Sequence, residues 1–438
     1  MLLKIDRMEL LLNMPKVKTG NYQVKGAIWN TLGSGMYAAN TFVMLALVSR
    51  VSTVQQTGYF GIALTTAQIL YMVGLFGMNT YQMTDYQEKH SFLEYARAKV
   101  VTCLLMAAGC VLSIWVLGFE GKKAQYTVLL TVLMMLNAIG ELFQSLFFQK
   151  NRLDLSGSAL FHRTLWPLIS FSAVLVYTRN ILFAITVQIL GNLFITLYYA
   201  IKVVPRFISP VKHHTALTEN VKELLVECLP LFFSMFLMTS IINASKYGIE
   251  FLMDDTAQGY YNMIFMPVQV INLCTQFLFK PLLNQYAKLI FQKQYKAFGK
   301  VIIKQSILTV AFTVFCAIAA YFMGTQVLGL VYNKDISAYK YVLTWVVVAG
   351  GVYAICQLFY YILVILRKQK QILSIYIGGA VAAVILTWLC VAHLGLWGGA
   401  LSFLLVHLLI LASYVYLLAV FIRKDSADAN DYRHIDCP

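Results

Sequence analysis

Thr239, Asn243, Lys246 and Glu250 recur at intervals of four, three and four residues, which places all four on one face of a helix. Their neighbours are apolar enough for a bilayer, and a charge held against lipid costs several kcal/mol, so the stripe must face water or protein. Two chemistries fit. Either Lys246 on a cavity wall meets an anionic group of a substrate, or Lys246 and Glu250 neutralise each other near the outer boundary, where a lysine can also stretch to water. Uncharged stripes are formed by Asn30, Ser34, Tyr37 and Thr41, and by Gln269, Asn272 and Gln276. Such donors and acceptors suit sugar hydroxyls and serve equally as glue between helices. Glu141 and Gln144 share a face, with Glu141 too deep to reach water by stretching. That depth makes it a cation or proton site, a salt bridge holding a gate, or a protonated structural carboxyl. His407, in mid-block, could titrate near neutrality or bond a neighbouring helix. Arg50 ends an apolar block as an interfacial anchor or an electrostatic lure for phosphate.

Other chemistry is missing from the chain. HExxH, Walker and GxSxG patterns are absent, so no catalytic residue, cofactor or nucleotide-driven pump is expected. Seven of the eight cysteines, Cys103, Cys110, Cys228, Cys274, Cys316, Cys356 and Cys390, lie in apolar blocks and Cys437 in the tail, with no CxxC pair, which argues against a disulfide framework or a metal site. The net charge of +15 would point to nucleic acid in a soluble protein. With 60% hydrophobic residues the solvent is the bilayer instead, and the bases face anionic lipid, so no nucleic-acid partner is expected.

The elements that must position these residues are transmembrane helices. At about 1.5 Å per residue, roughly 20 apolar residues cross the hydrocarbon core. Twelve such blocks fall at about 25–49, 59–78, 100–118, 126–148, 164–178, 181–201, 227–250, 259–279, 301–323, 341–366, 372–393 and 397–422. Lys and Arg divide 27 to 6 between alternate sides, which predicts cytoplasmic termini under the positive-inside rule. The division predicted is a cytoplasmic lead-in 1–24, a six-helix lobe 25–201, a linker 202–226 with Pro205 and Pro210, a second six-helix lobe 227–422, and a cytoplasmic tail 423–438. The opening Met1–Met14 is broken by charges and lacks a cleavage site, so it is read as a cytosolic lead-in rather than a signal peptide. An internal echo supports two repeats: Gly58/Gly259, Tyr59/Tyr260 and Gln68/Gln269 share an offset of 201. An even number of helices per repeat gives parallel repeats related by a pseudo-two-fold axis, with a substrate path between the halves.

Several stretches resemble a known family. Arg50 closing the first helix, Gly74-Leu75-Phe76-Gly77-Met78 leading to Tyr81-Gln82-Met83-Thr84-Asp85, and Glu141-Leu142-Phe143-Gln144 running on to Gln149-Lys150-Asn151-Arg152-Leu153-Asp154 are similar to the Wzx-type lipid-linked oligosaccharide flippases of the multidrug/oligosaccharidyl-lipid/polysaccharide exporter superfamily. Met266-Pro267, Phe279-Lys280-Pro281-Leu282 and Arg367-Lys368-Gln369 fit as well, and Asn79 departs from the base expected after Gly77-Met78. The resemblance implies an all-α membrane protein whose two six-helix lobes form a V around a cationic cavity. It further implies export of an undecaprenyl-pyrophosphate-linked glycan unit by alternating access, in a bacterial inner membrane, for O-antigen or other surface polysaccharide. Arg50, Lys246 and Lys280 would attract the pyrophosphate, and Asn30, Tyr37, Asn243, Gln269, Asn272 and Gln276 would line the sugar path. Glu141, Gln144, Glu250, Asp85 and His407 would serve coupling to a proton or sodium gradient, or a gate. Polysaccharide polymerase or glycosyltransferase partners are implied too. The rivals are a drug/cation antiporter of the same superfamily, which favours acids in its cavity, and a non-transporting scaffold for glycan assembly. A major-facilitator carrier would carry a Gly-rich basic loop after its second helix, which Asn79–Lys99 is not.

Overall fold

Long apolar runs become helices here because every backbone polar group must be satisfied within its own segment when no water is at hand. The computed structural model describes residues 21–85, 88–208, 217–279, 282–292 and 294–435, except the side chains of 21–24, 217–219, 276, 277, 284 and 423–435. Most of the predicted lead-in, the tail side chains, Lys280 and the side chain of Gln276 lie outside the described residues. The elements are α1 (Asn21–Val51), α2 (Val54–Leu75), α3 (Met78–Thr84), α4 (Phe92–Leu117), α5 (Gly121–Gln149), α6 (Leu153–Thr178), α7 (Ile181–Tyr198), α8 (Leu217–Leu252), α9 (Asp255–Phe279), α10 (Leu283–Phe291), α11 (Tyr295–Ala319), α12 (Thr325–Tyr332), α13 (Lys340–Ile365), α14 (Gln369–Leu394) and α15 (Leu396–Ile435). The described residues contain no strand.

Among the described residues eleven segments are long and apolar enough to cross a membrane, against the twelve expected, and the chain is a multi-pass membrane protein. The eighth predicted block is occupied by α9, 25 residues long, which carries Asn262, Pro267, Gln269 and Asn272 and is not among the eleven. Some helices outrun their apolar blocks because caps, not hydropathy, decide where they stop. The third starts at Phe92 behind a capping box in which Ser91 accepts from the Glu94 amide and Glu94 returns to the Ser91 amide. The fifth starts at Leu153, eleven residues before its block, and so carries Arg163 into its body. The ninth passes through a π turn at Ala320–Gly324 and continues to Tyr332. At the end of α2, Phe76 and Gly77 both take positive φ, and Lys99 Nζ donates to the Gly74 carbonyl at 2.8 Å. The Gly-Leu-Phe-Gly-Met motif is therefore the turn that stops α2, held by a cation at the negative end of the helix.

The helices assemble as two lobes. In the first, α1 packs along α6, α2 along α5, and α6 along α7; in the second, α8 packs along α14, and α13 and α14 along α15. Between the lobes α2 meets α9 and α8, while α1 meets α12. One apolar core spans both lobes, joining Phe60, Ala63, Leu64 and Ala67 to Ile249, Ala257, Tyr261 and Phe265. It gives way to two separate cores, one with Phe76, Met78 and Leu146 and the other with Phe279, Tyr286 and Ile362. The shared core lies towards the face bearing few bases, called here the far face, and the divided cores towards the base-rich face, called the basic face. The result is a V.

The apex is a helix crossing built on the sequence repeat. A Cβ on Gly58 would stand 2.1 Å from the carbonyl oxygen of Asp255, and one on Gly259 would stand 2.3 Å from that of Val54. Gly58/Gly259 and Val54/Asp255 are both 201 residues apart, so the contact is reciprocal, as a two-fold axis requires. Gly61 faces Asn262 at the same offset. Only glycine lets the two backbones approach this closely. Gly58→Ala or Gly259→Ala should force the apex apart, costing about 1–3 kcal/mol of far-face closure. A cysteine placed at the buried Ala257 should then react with a membrane-impermeant maleimide in either glycine variant and stay protected in the parent chain.

Candidate functional site

The seam between the lobes is sealed at Gly61 and Asn262 and loosens two turns further on. Gln68 and Gln269 lie seven residues beyond Gly61 and Asn262, hence on the same helix faces. Gln68 is half-buried and Gln269 exposed. Pro267 in α9 marks the same level, where it removes one helical donor. Between the sealed and the loosened levels sits Lys246 of α8, only 6% exposed. Its Nζ donates to Thr65 Oγ1 at 3.5 Å and stands 4.8 Å from the centroid of the Phe265 ring. The next residue, Tyr247, shares a 2.9 Å hydrogen bond with Thr66, fixing the α8 register against α2. Among the described residues Lys246 has no carboxylate partner. Glu250, one turn away, is taken by Lys123 of α5 at 2.6 Å, and Lys123 also binds Asp255. The neutral Lys246–Glu250 pair, one of the two sequence readings, is therefore not formed. Asn243 lies one turn below, donating to the Thr239 carbonyl at 2.9 Å, and its Oδ1 is buried without a partner. Asn272 Oδ1 is likewise unpartnered.

The α1 stripe is not brought to this point. Asn30 lies where the backbone of α1 meets Gly157 of α6, and Tyr37 lines a small polar cavity inside the first lobe with Asn40, Asn137, Arg163, Gln188 and Asn192. Glu141 faces that same interior. Arg163, 4% exposed, reaches Glu141 Oε1 and Gln144 Oε1, each at 3.2 Å, and the Asn137 carbonyl at 3.1 Å. Gln144 passes the network on by donating to the Ser156 carbonyl. His407 is buried inside the second lobe, its Nδ1 2.8 Å from the Phe403 carbonyl, beside Tyr353 and Gln357 and away from the seam.

Both faces are latched across the lobes. On the far face Arg50 donates to the Leu330 and Val331 carbonyls at 2.6 Å, closing the C-terminal end of α12, and Lys334 returns a bond to the Ser52 carbonyl at 2.9 Å. On the basic face the α3–α4 loop grips the first turns of α8. Glu227 accepts from Tyr81 at 2.6 Å and from Lys89 at 2.5 Å, with His90 Nε2 at 3.3 Å, and Asn220 donates to Glu94 at 2.8 Å. Asp85 shapes that loop, accepting from the amides of Lys89 and His90 and from the Tyr95 hydroxyl. Hydrogen bonds to Glu227 and Glu223 hold the Lys89 ammonium above its ordinary range, and burial together with the Glu227 bond pushes the Tyr81 hydroxyl up to about 12.

Sequence reasoning missed Arg163, Lys123, Lys99 and Glu227. Arg163 and Lys99 were counted as loop bases because blocks were bounded by hydropathy. A deep Glu141 with no partner on its own helix was the available signal that a base must reach it from a neighbour.

A family model described as polysaccharide biosynthesis protein matches residues 23–283. Curated proteins give no significant match. Among solved structures, an inward-facing multidrug resistance MATE family transporter of the MOP superfamily superposes with a TM-score of 0.69 at 10% identity, over 88% of this chain and 95% of that one. Its outward-facing counterpart gives 0.58 at 10% identity, over 92% and 96%. The lipid II flippase MurJ in an inward closed conformation gives 0.68 at 12% identity, over 91% and 87%. At these identities the likeness is one of fold.

Breaking the Glu141–Arg163 pair from one side should be costly, because Arg163 would stay buried with no carboxylate. Glu141→Gln is expected to lose about 3–5 kcal/mol, read as a lower thermal unfolding midpoint in detergent. The double change Glu141→Leu with Arg163→Met should recover most of that loss, and an unchanged midpoint in Glu141→Gln would remove the pair from the stability of the lobe.

Proposed function

This chain belongs to the polysaccharide biosynthesis protein family, and on that premise we propose that it flips an undecaprenyl-pyrophosphate-linked oligosaccharide from the cytoplasmic to the outer leaflet of a bacterial inner membrane. The basic face is then cytoplasmic with both termini on it, in keeping with a division of bases that stays at 25 to 6 once the buried Arg163 and Lys99 are set aside. The product feeds surface polysaccharide or O-antigen assembly.

The observation that carries the reading is Lys246. A buried ammonium facing only a hydroxyl and an aromatic ring is poorly compensated. An anion arriving through the divided half of the seam would gain the full attraction of a charge already stripped of water. A pyrophosphate head answers that need, whereas a drug/cation antiporter would place a carboxylate there. Glycan hydroxyls, too costly to desolvate in hydrocarbon, would meet Gln68, Gln269, Asn243 and Asn272 along the way, while the polyprenyl chain stays in lipid. Transfer requires the apex to part. That motion frees Arg50 from the α12 carbonyls and Lys123 from Glu250, so two further bases become available on the side of release. A coupling ion would act on these latches by changing which face is cheaper to open. Glu141 could take part only by leaving Arg163.

Lys246→Met should leave folded yield and unfolding midpoint unchanged or slightly raised, since it removes an uncompensated charge. Export should fall at least tenfold, measured as lipid-linked intermediates held on the cytoplasmic leaflet and loss of surface glycan, with partial rescue by Lys246→Arg. Normal glycan with drug hypersensitivity in a deletion strain would favour the antiporter instead. Unchanged export in Lys246→Met would end the pyrophosphate role of this residue.

A further inference from the structure

The basic-face lysines and arginines divide into two populations. Some are spent within the protein, all of them in or beside the first lobe: Lys89 on Glu223 and Glu227, Lys150 on Glu88, Arg152 on Asp154, and Arg163 on Glu141. At the corner between α13 and α14, Arg367, Lys368 and Lys370 pair with no carboxylate among the described residues. Orientation in the membrane accounts for three bases at this corner, but not for what lies beside them.

Beside them is a groove of about 510 Å³ between the first turns of α14 and the last membrane turns of α15. Ile375 and Leu417 give it an apolar floor, and Gln371, Ser374, Ser413 and Tyr416 give it a polar rim. It opens away from the seam, to the outside of the bundle, where Tyr416 is 72% exposed. Lys368 Nζ lies 5.2 Å from the centroid of the Phe421 ring, one turn beyond Leu417, so an ammonium stands at the basic end of the groove. Arg367 turns the corner with φ 56°, the left-handed conformation that lets α13 stop and α14 start with only three residues between them.

From floor to mouth the chemistry runs apolar, then hydroxyl and amide, then cationic. An acyl chain, a glycerol ester region and a phosphate follow one another in that order in a phospholipid of the same leaflet. The geometry points to this groove as a binding site for an anionic glycerophospholipid, with its phosphate at Lys368 and Lys370, its glycerol against Ser374 and Ser413, and one acyl chain along Ile375 and Leu417. A zwitterionic lipid fits the floor equally but gains less from the bases, each of which is worth roughly fivefold in occupancy near an anionic surface. The site is separate from Lys246 and does not depend on which cargo the seam carries.

The test uses the full chain, purified and placed in nanodiscs of phosphatidylglycerol or phosphatidylcholine, with retained lipid counted by native mass spectrometry. The parent chain should hold one phosphatidylglycerol in preference to phosphatidylcholine. Lys368→Gln with Lys370→Gln should cut that preference at least fivefold. Ser374→Trp, which fills the groove and leaves the bases, should lose the retained lipid altogether, and Lys122→Gln, which removes a base on the far face, should change nothing. Equal retention of the two lipids, a preference that survives both groove variants, or displacement of phosphatidylglycerol one for one by undecaprenyl phosphate would each overturn the assignment.

Discussion

A charge in the body of this protein has no water to turn to, and the arrangement of the helices follows from how each one is answered. Of the three buried lysine and arginine side chains among the described residues, Arg163 is met by Glu141 and Lys99 by the carbonyls that end α2. Lys246 alone is left with a hydroxyl and a ring. Stability favours satisfying every such group, so an exception at the point where two lobes meet is where a ligand has most to contribute.

The geometry around that exception is set by backbone proximity rather than by side-chain bulk. Reciprocal contacts of Gly58 with Asp255 and of Gly259 with Val54 draw α2 and α9 together at the far end and leave no room for a path there. Two turns on, the same helix faces carry Gln68 and Gln269, and the single apolar core has become two. The lobes are thus hinged at a line of glycine and spread from it.

The two faces are held shut or open by different chemistry. The far face relies on cations against helix ends, Arg50 and Lys334, and on Lys123 between two carboxylates. The basic face relies on α8, whose first turns pack with the first lobe through Leu224 and Cys228 while its later turns, with Ile241 and Ile249, pack with the second. Pro230 lies between these portions, where the helix lacks one backbone donor. One helix therefore belongs to both lobes, and relative motion of the lobes must either release Glu227 from Tyr81 and Lys89 or bend α8.

Much of this was legible in the linear chain. Apolar block lengths dictated membrane helices, and the 201-residue offset of Gly58 and Gly259 announced a repeat whose equivalent glycines now face each other across the axis. These are properties of composition and period, which act on each segment separately. Partnership was not legible, because a helix face says that a group must be satisfied and not by whom. Glu250 looked free to neutralise Lys246 until Lys123, 127 residues away, reached it first. Glu141 could be an ion site, a salt-bridge partner or a structural carboxyl on sequence alone, and it is Arg163 from the next helix that it meets; Arg50, an anchor or a phosphate lure on sequence alone, meets the end of α12. Only the packing of distant helices decides which buried charges are consumed within the protein and that, among the described residues, Lys246 is left without a carboxylate.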